Sequence, residues 1–322
     1  MTTLPTALAP TFNEFASPYS TYRIGGLMDE AYFPTSVHQA ESILQELLPR
    51  IHKATSPFQV LGWGSNTLIS SHGLRGMTLI LRKLASIDQL DDTTFRFGAG
   101  VHLAKVSHTT YQAGLHGGEF FVGIPGTMGG AACMNAGAMG HDTSMVLQRV
   151  LAFDLQTGQS GWLEKEQLRF QYRFSDINPN RHVVLATECR FTAGDKEAAK
   201  QMMDINLAFR KEHHPVEPNG GSVFRNPMEG LPVGRMVDEL GGKGHWYVGD
   251  AWISPKHGNF IINKGNASSL DVLQLMCRIK QAVLDAYGVT IFPENRFIGD
   301  ATEEERQCWQ WLKAGDIHHG GH

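Results

Sequence analysis

The sequence predicts an α+β fold in three units, and three observations carry that prediction. A chain of 322 residues with 42% hydrophobic content is long enough to bury more than one core. Runs with apolar residues at helical spacing are interspersed with short apolar runs of strand type. A glycine-rich turn at residues 62–66 and a glycine-rich stretch at 114–140 interrupt them, and the second is too apolar for a disordered linker.

Residues 36–53 carry Val37, Ala40, Ile43, Leu44, Leu47 and Ile51 at helical spacing, which predicts an amphipathic helix packed on one face. Phe58-Gln59-Val60-Leu61 reads as a strand running into Gly62-Trp63-Gly64-Ser65-Asn66, with a further strand at 77–81. Phe95-Arg96-Phe97 is a strand, 103–113 a helix, and 114–140 a long loop. The runs 150–155 and 161–163 flank the hairpin signal Gln156-Thr157-Gly158-Gln159, and Val183-Val184-Leu185-Ala186 reads as a buried strand. A helix is expected over 195–210, with Ala198, Met202, Ile205 and Phe209 on one face. Pro215, Pro218, Gly220 and Gly221 then lead into Ser222. The last unit has a strand at 259–263 and a cap at Ser268 with Asp271 three residues on. The helix that follows buries Leu273, Met276, Ile279, Val283 and Ala286 and stops at Gly288; a strand is expected at 289–292, and the tail after Asp300 is assigned no fold.

The bulk numbers exclude several partners. A net charge of -4 gives no broad electrostatic footprint for nucleic acid or an anionic membrane, so anionic ligands must be met by local groups. Met1-Thr2-Thr3-Leu4-Pro5 lacks a basic and apolar leader, and no window is long and apolar enough to span a bilayer, which predicts a cytosolic protein. Cys133, Cys189, Cys277 and Cys308 stand far apart in sequence and are expected to be reduced; neither they nor the terminal histidines have metal-ligand spacing.

Two glycine-rich segments and a few polar residues are candidates for chemistry. Glycines 62 and 64 remove side chains where backbone N–H groups could approach phosphate oxygens, and Ser65 and Asn66 add donors, although this is not the Rossmann fingerprint. The run from Gly123 through Gly140 would let backbone lie flat against a planar or phosphorylated ligand. Arg173 stands among aromatics, Ser222 follows two glycines, and Glu294 follows a strand and Pro293. A surface ion pair, a turn and a strand-end ion pair are the ordinary explanations of these three.

Taken in order, the segments resemble the UDP-N-acetylenolpyruvoylglucosamine reductases, the MurB family. The matching stretches are Tyr22-Arg23-Ile24-Gly25-Gly26, Gly62-Trp63-Gly64-Ser65-Asn66, Ile124-Pro125-Gly126-Thr127-Met128-Gly129-Gly130, Asn135-Ala136-Gly137-Ala138 and Tyr172-Arg173-Phe174-Ser175. They continue with Asn219-Gly220-Gly221-Ser222-Val223-Phe224-Arg225-Asn226-Pro227, Ser254-Pro255-Lys256-His257 and Pro293-Glu294-Asn295-Arg296. The short link at 227–234 and the uninterrupted run at 249–263 are similar to the shorter, type II members. The resemblance implies two FAD-binding units of the vanillyl-alcohol-oxidase (PCMH) type, at 1–83 and 84–200, an α+β substrate-binding domain at 201–300, and a tail at 301–322. It implies FAD held by Gly62, Gly64, Ser65, Asn66, Ile124, Pro125, Gly126, Gly129, Gly130, Asn135, Ala136 and Gly137, with NADPH as co-substrate and no metal. Catalysis falls to Arg173, Ser222 and Glu294, and substrate contacts to Arg210, His213 and Asn226. The implied reaction makes UDP-N-acetylmuramate from UDP-N-acetylglucosamine enolpyruvate for peptidoglycan, without an obligatory protein partner.

Three positions depart from the family pattern. His213 stands where lysine is usual, Trp252 where a smaller polar residue is usual, and Met139 where tyrosine is usual. They leave room for another FAD-dependent oxidoreductase of the same superfamily, or for a flavin or nucleotide-sugar binding protein without turnover.

Overall fold

The computed structural model describes residues 9–53 and 56–316, so the expectations for the N-terminal leader and the terminal histidines lie outside the described residues. Contacts divide the chain into two units. The first takes residues 30–63 and 76–210, with the described residues up to Phe12; the second takes Asn13–Asp29, Gly64–Arg75 and residues 211–316.

In the first unit, helix α1, Val37–His52, starts where Ser36 accepts a hydrogen bond from the Gln39 N–H, and it buries Ala40, Ile43, Leu44 and Leu47. Phe58–Leu61 pairs in parallel with the chain at 77–80. A five-stranded antiparallel sheet is built around His182–Arg190, whose neighbours are Leu147–Asp154 on one side and Thr94–Gly98 on the other. Residues 183–189 are buried without alternation, as a central strand covered on both faces requires. The hairpin expected across residues 156–159 joins Leu147–Asp154 to Gln159–Glu164.

Two readings of this unit need correction. The stretch 114–140 is not only a loop: it holds a short helix, Met128–Met134, capped by the Thr127 hydroxyl. Two glycines and two alanines in seven residues hid it, because glycine lowers helix propensity and there is little apolar periodicity to read. The helix expected at 195–210 spans Lys196–His213 and buries Ala199, Met203 and Asn206, one position round from the expected face. Met202, Ile205 and Phe209 are exposed.

The second unit has a four-stranded antiparallel sheet in the order Asn219–Ser222, Phe260–Asn263, Ala251–Ile253, Tyr247–Val248. Against it packs Ser269–Tyr287, with the Ser268/Asp271 capping box and a left-handed Gly288 as the sequence predicts. Leu273, Met276, Ile279 and Val283 are buried, whereas Ala286 is exposed in the last turn. Residues 289–292 form no strand; Pro293 makes an isolated bridge to Phe224, and the strand falls later, at Arg296–Ile298, parallel to Thr67–Ile69.

The tail is folded as well. Glu303–Lys313 is a helix started by a capping box between Thr302 and Glu305. The Thr-x-x-Glu signal was present, but three consecutive acidic residues masked the apolar face. Leu312 is buried against Ser269–Tyr287, Lys280 donates to the Trp311 and Leu312 carbonyls at 3.1 and 2.8 Å, and Arg225 pairs with the buried Asp316. Asp316→Ala should therefore strand a mostly buried guanidinium and destabilise the protein by about 3 kcal/mol in urea unfolding. A change within about 0.5 kcal/mol would place this helix outside the cooperative unit.

Candidate active site

The start of the first glycine-rich segment meets the second within the first unit. Strand Phe58–Leu61 delivers Gly62 against the start of Met128–Met134, where a Cβ on Gly62 would lie 2.7 Å from Thr127 Oγ1. A Cβ on Gly129 would lie 2.8 Å from that of Ala99, so neither position tolerates a side chain without movement. Pro125 and Gly130 are exposed on this otherwise buried ridge, and a Cβ on Gly130 would meet only Thr127 Oγ1, at 3.6 Å. The surface offered is bare backbone, with Gly126 held at a φ of 133°. Such a face fits a flat, diphosphate-bearing cofactor such as FAD, which needs close approach to main-chain N–H groups.

Arg82, overlooked in the sequence, clamps this turn. Its Nε donates to the Gly62 carbonyl at 3.2 Å and its Nη2 to the Trp63 carbonyl at 3.1 Å, while the guanidinium lies 4.6 Å from the centre of the Trp63 ring. Its one sequence signal is a cation immediately after the strand that pairs with Phe58–Leu61.

The same ridge positions Arg173. Asn135 ends the short helix in a left-handed conformation, donates Nδ2 to the Gln171 carbonyl at 3.0 Å and accepts the Ser144 N–H at 3.0 Å. Ser175 Oγ donates to the Cys133 carbonyl at 2.7 Å. These bonds fasten the hairpin Phe170–Gln171, Phe174–Ser175 to the helix, and Arg173 sits in its turn at a φ of 56°. A left-handed non-glycine residue costs about 1 kcal/mol, a cost that survives where the surroundings dictate the conformation. Arg210 lies against Gly123, whose added Cβ would be 2.7 Å from Arg210 Cδ. Burial, and then the nearby charge of Arg173, push the Arg210 guanidinium down to about 10, which leaves it protonated at neutral pH. Two adjacent guanidiniums make a strongly anion-selective patch. Ile124, Ala136 and Gly137 belong to this unit too, with Gly137 packed against His141 and Asp142.

Gly64, Ser65, Asn66, His213, Ser222, Asn226 and Glu294 fall in the second unit. Gly64 has a φ of 60° and packs on the backbone of Tyr19 and Ser20. Ser222 ends the first strand of the four-stranded sheet, opposite Phe260. Glu294 is beside it in the backbone sense: its N–H donates to the Val223 carbonyl at 2.9 Å, next to the Phe224–Pro293 bridge. Asn226 uses Oδ1 to accept the Val233 N–H at 3.0 Å, which starts the helix Val233–Glu239. His213 ends its helix close enough to His257 to be felt there. Burial first, then the charges of His213 and Lys243, hold the His257 imidazole below the usual histidine range. Asn295, quoted in a sequence motif but given no role, is the buried centre of this group.

A bare-backbone cofactor ridge beside paired arginines defines a class, and the family models agree with it. Residues 33–164 match the FAD binding domain, and residues 213–298 match the C-terminal domain of UDP-N-acetylenolpyruvoylglucosamine reductase. The chain is an FAD-containing oxidoreductase of mixed α+β fold. It is 36% identical to the UDP-N-acetylenolpyruvoylglucosamine reductase of Heliobacterium modesticaldum, with 88% of this chain and 89% of that protein aligned. The same-named protein of Prochlorococcus marinus is 39% identical over 87% of this chain and 91% of its own length. A crystal structure of UDP-N-acetylenolpyruvylglucosamine reductase (MurB) from Thermus caldophilus superposes with a TM-score of 0.74 at 29% identity, covering 90% of this chain and 98% of that one. The chain belongs to the UDP-N-acetylenolpyruvoylglucosamine reductase family.

Two predictions follow from the geometry. Gly62→Ala should lower the flavin-to-protein absorbance ratio of the purified protein, because the methyl group pushes on Thr127; full flavin content would show that the ridge relaxes. The second concerns pH. A histidine depressed in the folded state binds fewer protons than in the unfolded chain, so stability falls as pH drops below about 6.5. His257→Gln should lose less stability than the native protein between about pH 7.5 and 5.5, and equal losses would remove His257 as a contributor.

Proposed function

We propose that this enzyme reduces UDP-N-acetylglucosamine enolpyruvate to UDP-N-acetylmuramate at the expense of NADPH, supplying a peptidoglycan precursor. The observation that carries this reading is the backbone pairing that brings Glu294 against Val223, the residue after Ser222, in a chain that aligns with such reductases over most of its length. No helix among the described residues is long and apolar enough to cross a membrane, and nucleotide-sugar and NADPH chemistry favours a cytosolic site of action.

FAD, when bound, supplies the hydride that reaches C3 of the enolpyruvyl group, having been reduced by NADPH. Addition at C3 leaves an electron pair at C2 that spreads into the neighbouring carboxylate. The residues must then hold that carboxylate and deliver one proton to C2. Arg173 does the first. A guanidinium cannot give up its proton here and can bind a carboxylate through two parallel hydrogen bonds, which strengthen as negative charge builds. Arg210 adds positive potential to the same patch. Ser222 does the second: its hydroxyl gives the proton to C2, a step that a poor acid manages only because the enolate is strongly basic. Glu294 holds the proton-donor chain that restores the serine. His213 and the Nδ2 of Asn226 contact the nucleotide part of the substrate. The ridge of the first unit is the surface that holds FAD.

The test is anaerobic stopped-flow absorbance in two mixes, NADPH first and enolpyruvyl substrate second. Ser222→Ala should bleach at the native rate with NADPH and recover its flavin colour with substrate about 100- to 1,000-fold more slowly, the scale of a lost general acid. Arg173→Ala should likewise slow only the second mix. Failure of both mixes in Ser222→Ala, or native recovery in either variant, would overturn the assignments; a native protein that bleaches with NADPH and ignores the substrate would overturn the substrate.

A further inference from the structure

Inside the second unit, a phenol and two side-chain amides form a buried chain that touches each proposed proton-transfer residue from behind. Asn295 is 1% exposed. Its Oδ1 accepts the Tyr22 hydroxyl at 2.9 Å. Its Nδ2 donates to Asn66 Oδ1 and to the Gly220 carbonyl, both at 2.8 Å, and more weakly to the Ser222 carbonyl at 3.3 Å. Asn66 passes the contact on: its Nδ2 donates to the Glu294 carbonyl at 2.9 Å, and its own carbonyl accepts the Arg296 N–H at 2.9 Å.

The orientation of this chain is fixed by its chemistry. Burial pushes the Tyr22 phenol far up, so it keeps its proton and donates to the Asn295 oxygen. The Asn295 nitrogen must then face three oxygen acceptors, and only an N–H-bearing group can do so in a buried setting. The Asn66 amide is committed at both ends to protein groups, which makes it a strut between the glycine turn and Glu294. Each acceptor of the Asn295 nitrogen therefore lies on a segment that bears on the proposed reaction: Gly220 and Ser222 on the serine strand, Asn66 on the cofactor turn and, through it, Glu294.

We propose that Asn295 is a positioning residue for proton delivery, acting directly on the backbone of Ser222 and through Asn66 on the backbone of Glu294. The proposal rests on the assignment of Ser222 as proton donor. It predicts an effect confined to the half-reaction in which substrate reoxidises the flavin, because the NADPH half-reaction uses neither side chain.

Asn295→Asp keeps the shape and the acceptor for Tyr22 but replaces the donor nitrogen by an oxygen aimed at three acceptors. The full-length flavoprotein carrying it should retain native flavin content and the native rate of bleaching by NADPH. At saturating enolpyruvyl substrate it should recover flavin colour about 100-fold more slowly, the scale of a small misplacement of a catalytic group. Tyr22→Phe, which leaves the three donor contacts intact, should have a smaller effect. If Asn295→Asp fails to fold, Asn295→Ser decides: slow recovery with normal bleaching supports the positioning role, and normal recovery overturns it. Equal slowing of both mixes, or loss of flavin, would mean that Asn295 is structural only and overturn the proposal. Native recovery in Asn295→Asp with slow recovery in Ser222→Ala overturns the role of Asn295 alone, whereas native recovery in Ser222→Ala removes the donor assignment itself.

Discussion

The close approach of the Tyr22 ring to the backbone of Gly220 is the constraint on which the second unit depends. A Cβ at Gly220 would collide with the ring edge, so no other residue can occupy that position without displacing Tyr22. With the ring in place, Tyr22 buries completely, its hydroxyl reaches Asn295, and its carbonyl accepts the Asn263 side chain at 3.0 Å. Asn219 donates its N–H to the Thr21 carbonyl at 3.0 Å, which pins the serine strand along the same segment. Gly221 follows with a φ of 78°, a turn that needs no side chain, and directs the chain into Ser222. Thus two adjacent glycines serve different ends, one admitting a neighbour and one turning the backbone.

The first unit solves a related problem with less polar material. Its cofactor ridge is made by subtraction: glycines and alanines let segments approach until the backbone itself is the surface. What holds this ridge in place is a set of side chains bonding to carbonyls, namely Arg82 to Gly62 and Trp63, Asn135 to Gln171, and Ser175 to Cys133. Asn135 thereby carries out a structural task that a cofactor contact would not require. The strain accepted at Arg173 has the same source, since a hairpin fastened at Gln171 and Ser175 leaves its turn residue little choice of conformation.

Much of this was legible in the sequence, for physical reasons that also explain the rest. The helix after Ser36 and the one after Ser268 announced themselves by cap and stripe, signals that lie within one turn of chain. The Phe58–Leu61 strand and the hairpin across 156–159 were equally local. The short helix at 128–134 and the capped tail helix were missed because glycine-rich or acidic composition hid their periodicity. The face of Lys196–His213 was misread because the apolar residues Met202, Ile205 and Phe209 stay exposed while Asn206 is buried, donating to the Glu119 carbonyl at 3.4 Å. Among site residues, the motifs singled out Ser222, Glu294 and both glycine segments as candidates. Arg82 and the role of Asn295 were out of reach, since their meaning lies in partners about 20 and more than 200 residues away.

The departures from the family pattern read differently once their surroundings are known. Trp252 stacks on Tyr247, with ring centres 4.3 Å apart and planes 10° apart, and Lys264 Nζ lies 4.5 Å from its centre. A large aromatic residue is therefore accounted for by packing on its own hairpin, and no change of substrate is needed to explain it. Met139 is exposed at a φ of 53° and nothing around it explains its choice. His213 is the departure with electrostatic consequences. It shares its surroundings with His257, where burial first, and then repulsion from charge at 213 and at Lys243, hold the imidazole below the usual histidine range. A lysine at 213 would impose that repulsion at every physiological pH.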